Sequence, residues 1–155
     1  MNWEAIGAIG EALGALGVIT TLGYLAVQIR QNTKSVRRTA HISTTDAFNQ
    51  LSTLIVQDPE VARISQIGVL DPRKLNGDEQ YRFQRLMWML IGNFENLFFQ
   101  HLDGLLETER WESHEETLQG LVSSPGFSIA YWQHVELRHR LSKTFRTYVE
   151  GLREG

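Results

Sequence analysis

Residues 6–29 read IGAIGEALGALGVITTLGYLAVQI, with Glu11 as their one formal charge and Glu4 and Arg30 as the nearest charged flanks. At about 1.5 Å per residue, a helix of this length runs ~36 Å, enough to cross a hydrocarbon core of about 30 Å. Residues 12–27 carry no charge at all. Gly7, Gly10, Gly14, Gly17 and Gly23 lie in the same stretch. Each would cost a helix in water about 1 kcal/mol relative to alanine, whereas membrane helices use glycine freely. The stretch therefore predicts a single transmembrane helix rather than a buried core helix. A cleaved signal peptide would need a basic start. The residues before the apolar run contain no Lys or Arg, so the expectation is a retained anchor.

The flanks set the orientation. Arg30, Lys34, Arg37 and Arg38 follow the apolar run, while the N-terminal flank has only Glu4 and the terminal amine. Positive charge stays on the cytoplasmic side, which puts the N-terminus outside and the remaining chain in the cytoplasm. The four cations lie within reach of anionic lipid headgroups, each contact being worth about 1 kcal/mol. Trp3 and Tyr24 suit interfacial anchoring.

Gly7, Gly10, Gly14 and Gly17 are spaced by three, four and three residues, and Thr21, Tyr24 and Gln28 continue the seam. Small residues on one stripe let a second helix backbone approach closely, and a 3.5-residue period favours a left-handed crossing. The expected partner is a second copy of the chain or a helix of another membrane subunit. Glu11 lies roughly 80° from the centre of this seam, on the stripe of Ala15, Val18, Leu22, Leu25 and Ile29. One reading makes it a ring of carboxylates at the outer mouth of a homo-oligomeric ion channel. The apolar residues after it on its stripe offer no polar path inward, which favours a carboxylate reaching headgroup water.

The rest of the chain is expected to be helical. Residues 1–33 form the transmembrane helix and membrane exit, and residues 34–155 a cytoplasmic helical domain. Val36, Ala40, Ala47, Leu51 and Leu54 keep a helical spacing up to Pro59. Asp58-Pro59-Glu60 is a helix start, with an acceptor at the N-cap and proline at the first position. It opens a short helix to about Val69. A turn over residues 71–76 leads to a helix at about 78–102, whose Phe83, Leu86, Met87, Leu90, Ile91, Phe94, Leu97 and Phe98 make a wide apolar stripe. Arg82, Arg85, Asn93, Glu95 and Asn96 oppose a second membrane span there. A helix near residues 110–122 precedes the turn Ser123-Ser124-Pro125-Gly126. One last helix is expected from about Ser128 to Leu152, with Ile129, Trp132, Leu137, Leu141, Phe145, Tyr148 and Leu152 to one side and Arg138, Arg140, Lys143 and Arg146 more exposed. No strand-like alternation is sustained, so the fold class is all-α, a helical bundle behind a membrane helix.

Composition narrows the chemistry. The 155 residues include no cysteine, which excludes disulfide scaffolds, thiolate catalysis, cysteine-ligated zinc and iron–sulfur clusters. Fifteen basic and 18 acidic side chains leave a formal charge of −3, with no global attraction for nucleic acid. Of the five histidines, His41, His101, His114, His134 and His139, only His139 completes a Glu-x-x-His pair, with Glu136. A di-metal bundle needs two such pairs and two further glutamates. His114 lies among Glu107, Glu109, Glu112, Glu115 and Glu116, which more simply make a solvated helix face. A metal- or ligand-binding sensor is the reading these residues would serve. No nucleophile elbow, phosphate loop or dinucleotide fingerprint is present. The expectation is a non-enzymatic protein with no catalytic residues, cofactor or metal.

Residues 24–33, YLAVQIRQNT, resemble the membrane-exit segment of a family of small bacterial proteins with one N-terminal transmembrane helix. Later landmarks are similar: Glu95-Asn96, Phe98-Phe99-Gln100, Gly104-Leu105-Leu106, Trp111, Pro125-Gly126, Tyr131-Trp132, Phe145 and Tyr148-Val149. The resemblance implies a bacterial origin, the inner membrane and a helical cytoplasmic domain. It carries no activity.

Overall fold

The computed structural model describes residues 3–154, with the side chains at positions 4–6, 8, 9, 12, 37 and 40–45 outside the description. Every regular element among the described residues is helical. The chain divides into two compact units, residues 1–39 and 40–155. Helix α1 (Trp3–Gln57) contributes to both. In the first unit, Leu13–Val36 is long and apolar enough to cross a membrane, and none of it is buried.

The second unit is held in register by its helix ends. Before α2 (Pro59–Leu70), the Asp58 carboxylate accepts from the amides of Glu60 at 2.9 Å and Val61 at 3.3 Å, as the Asp-Pro-Glu triplet demands. Asp71 ends α2 in an extended conformation and caps a short 3-10 turn (Pro72–Lys74) by accepting from the Arg73 amide. Asn76 and Glu79 then form a reciprocal capping box at the start of α3 (Gly77–Leu102), each side chain accepting from the other's amide at 3.0 Å. Arg63 of α2 also donates to Glu79, tying the two helix starts together. At the far end of α3, Gly104 adopts φ +68°, the left-handed conformation that favours glycine. That turn lets the amides of Gly104 and Leu105 reach the carbonyls of His101 and Gln100.

Helix α3 is the axis of the core. Phe83, Leu86, Met87, Ile91, Phe94, Leu97 and Phe98 are all buried along it, as its periodicity predicts. Phe98 gathers aromatic rings from three directions: Trp111 of α4 (Thr108–Val122), and Phe145 and Tyr148 of α7 (Lys143–Glu154), at centroid distances of 4.7 to 5.7 Å. Phe48 of α1 meets Phe94 edge-on at 5.3 Å, and Leu51 one turn on is buried. Aromatic pairs in these arrangements add about 0.5–1.5 kcal/mol each beyond the area they bury.

The closest approach is made by two glycines. Helix α5 (Pro125–Phe127) crosses α2 so tightly that a Cβ on Gly126 would lie 2.2 Å from the Gly68 carbonyl oxygen and 2.6 Å from Val69 Cα. At Gly68 itself, a Cβ would lie 2.4 Å from the buried Phe83 ring. Close contact at both α2–α5 and α2–α3 therefore depends on positions that have no side chain.

The single helix expected over residues 128–152 is instead three pieces. Ser128–Trp132 form a π-helical turn, α6 covers Val135–Arg138, and α7 begins at Lys143. Within the π-turn, Ala130, Tyr131 and Trp132 are consecutive and all buried, so this segment is packed on more than one side. Gln84 of α3 donates to the Ala130 carbonyl at 3.0 Å, and His134 then turns extended. At the second break, the Ser142 amide donates to the Glu95 carboxylate at 2.7 Å while its hydroxyl accepts from Phe145. The residues expected inward are nevertheless buried or half-buried, because each short helix keeps its own inward face.

Candidate functional site

Within the apolar span, the polar side chains with described bonds satisfy themselves within the helix. Thr20 and Thr21 donate to the carbonyls of Leu16 and Gly17, each at 2.8 Å, and Thr33 donates to Ile29 at 2.9 Å. The Gln28 amide donates to the Tyr24 hydroxyl at 2.9 Å. A polar side chain in hydrocarbon must find such a partner, since no water is there to serve. The seam glycines differ from the two closely packed glycines of the second unit. A Cβ on Gly7, Gly10, Gly14, Gly17 or Gly23 would meet nothing within 4 Å, whereas Gly68 and Gly126 are hemmed in. Within this chain, then, the N-terminal glycines serve no close contact.

Glu11, Arg30, Lys34 and Arg38 are exposed on α1, and Trp3 and Tyr24 expose 72% and 62% of their surface. Arg37 and His41 fall outside the described side chains. Among the described residues, no three His, Asp or Glu side chains come together as a metal site would require. His101 stacks on Trp111 at 5.6 Å and His114 on Phe48 at 6.0 Å, so both serve as flat packing surfaces. His134 and His139 are exposed, with Glu136 exposed beside them. Within the acidic stretch, Glu107 pairs with Arg110 and Glu115 accepts from the Tyr148 hydroxyl.

A cleft of about 280 Å³ lies beside the start of α3, lined by Gln80, Tyr81, Gln84, Ile129, Ala130 and His134. Its two glutamines are already committed to backbone carbonyls, at Leu75 and Ala130. The buried hydroxyl nearby is likewise engaged: Tyr131 donates to the Leu137 carbonyl at 3.0 Å, and burial with the Glu95 charge pushes its pKa up to about 12. Tyr148 is shifted upward as well, by burial first and then by its bond to Glu115. Both phenols act as fixed hydrogen-bond donors.

Two arginine arrangements escape the sequence pattern. Arg153 of α7 lays its guanidinium over Phe127 at 5.8 Å and Trp132 at 5.3 Å, and donates to the Val122 carbonyl and to Ser128 Oγ. It thereby closes the C-terminal end of α4, and burial lowers its pKa. On α3, Arg85 lies between Tyr81 and Trp88, with Arg140 also over Trp88. The i, i+4, i+7 spacing of Tyr81, Arg85 and Trp88 is a visible signal, but the part played by Arg140 depends on the break between α6 and α7. Comparison of the chain with protein-family models, with curated proteins and with solved structures gives no match.

Proposed function

We propose that this chain is a non-enzymatic, single-pass protein of the bacterial inner membrane, N-terminus outside and helical domain in the cytoplasm, which acts by assembling through its glycine-lined helix. The observation that carries this reading is the 24-residue span Leu13–Val36, apolar, helical and wholly unburied by its own chain. A lipid bilayer would bury such a surface, and the intrahelical bonds of Thr20, Thr21 and Thr33 suit lipid. In lipid, helices associate through close packing of small residues, for which Gly7, Gly10, Gly14, Gly17 and Thr21 leave room. The partner is a second copy, or a helix of another subunit to which this chain is accessory. Arg30, Lys34, Arg37 and Arg38 meet lipid headgroups on the cytoplasmic side.

Membrane vesicles of both orientations test the location and topology. The expected result is that the protein resists alkaline extraction, and that protease removes the C-terminal domain only from inside-out vesicles. Release by alkali, or cleavage from right-side-out vesicles alone, would overturn the reading.

A further inference from the structure

Tyr81, Arg85, Trp88 and Met89 share one stripe of α3, and Tyr81, Trp88 and Met89 expose 57%, 40% and 46% of their surface. The Arg85 guanidinium stands 5.0 Å from the Tyr81 ring and 5.4 Å from the Trp88 ring, and its Nε donates to the Tyr81 hydroxyl. Arg140 stands 5.7 Å from the same Trp88 ring. Among the described residues, neither guanidinium is ion-paired to a carboxylate. Two cations held in place on aromatic faces lose little freedom when an anion arrives. Exposed Trp, Tyr, Met and Arg together are also the composition of interface centres.

The complementary surface is on α4. Glu109, Glu112 and Glu116 step by three and four residues along one exposed face, with Ser113 on the same face. Among the described residues, none of the three glutamates is ion-paired. Parallel membrane helices relate copies by rotation about the membrane normal. With more than two copies, each neighbour contact then joins two different faces.

We propose that the ladder of Tyr81, Arg85, Trp88 and Arg140 in one copy docks on the Glu109, Glu112 and Glu116 face of the next. The proposal rests on the self-association reading above. The contact pairs both guanidiniums with carboxylates and covers Trp88 and Met89.

Because the chain has no cysteine, Met89→Cys and Ser113→Cys variants report the contact directly. Differently tagged full-length chains are mixed in zwitterionic liposomes, treated with a short bis-maleimide and weighed in parallel by native mass spectrometry. The expected product is a crosslink between the Met89→Cys and Ser113→Cys chains that neither variant gives alone. Adding Arg85→Glu and Arg140→Glu to the Met89→Cys chain should lower its yield about tenfold or more. Glu112→Arg and Glu116→Arg on the Ser113→Cys chain should restore it. An oligomer without the mixed crosslink, or Met89→Cys linking to itself, overturns the docking and leaves self-association standing. A monomeric mass overturns self-association, and the docking with it. Because the first crosslink is read without any charge variant, misfolding of those variants does not mask the answer.

Discussion

Replacing Gly126 by alanine forces α2 and α5 apart. The new methyl carbon would lie 2.2 Å from the Gly68 carbonyl oxygen and 2.6 Å from Val69 Cα, so relief requires a backbone shift of about 1 Å. A gap of that size forfeits a quarter to a half of each dispersion contact across the crossing, and forced overpacking of this kind costs about 1–3 kcal/mol. Both obstructing atoms are backbone, with no rotamer to yield, so the upper part of that range is expected. For a unit of this size a loss of about 2–3 kcal/mol lowers the unfolding midpoint by roughly 8–12 °C. The matched control is Gly120→Ala on the exposed side of α4, where a Cβ meets nothing within 4 Å. Helix propensity there predicts a gain of about 0.8–1 kcal/mol. Thermal unfolding of the full chain in nanodiscs, followed by near-ultraviolet circular dichroism, reads both. A Gly126→Ala midpoint equal to wild type, or shifts of the same sign at positions 126 and 120, would refute the reasoning.

Gly104→Ala places a side chain at φ +68° and should destabilise the end of α3 by about 1–2 kcal/mol, read as a lower denaturant midpoint. Tyr131→Phe removes the bond to the Leu137 carbonyl and should cost about 0.5–1.5 kcal/mol at neutral pH. Because the folded Tyr131 pKa is raised from 10.0 to about 12, wild type should lose stability between those values, where the unfolded phenol ionises first. The variant should lose less there, so the gap between the two proteins should narrow in alkali. Glu79 is shifted the other way, lowered first by the Asn76 amide and then by Arg63. Its contribution is present above the unfolded carboxylate value of 4.5 and lost as pH falls through the lower folded value. Acid titration of Glu79→Gln against wild type should show the two curves converging below pH 4.5.

The helix starts at Asp58 and Asn76 were legible because capping is local chemistry, written in three or four adjacent residues. The inward stripe of α3 was legible because its apolar residues keep the helical period over more than four turns, from Phe83 to Phe98. The break after Trp132 was not, because the inward residues of the π-turn, α6 and α7 happen to keep a helical spacing across both interruptions. Ser142, a good N-cap residue, was the one local sign, and its decisive partner Glu95 lies 47 positions away. Gly68 and Gly126 illustrate the same limit. Sequence marks Gly126 as turn punctuation, while its steric role exists only once α2 lies beneath it. In the membrane segment the order reverses. The seam of Gly7, Gly10, Gly14, Gly17 and Thr21 is plain in the sequence, while its glycines meet nothing within 4 Å inside the chain, so the proposed contact can only be with another helix.

The most direct test of that assembly is the mass of the full-length protein in nanodiscs, measured for wild type beside a Gly10→Leu, Gly14→Leu double variant. The account predicts a defined multiple of the 17.7 kDa chain for wild type and a single chain for the variant. An oligomer that survives the two leucines would contradict the glycine seam, and a single chain for both would contradict self-association.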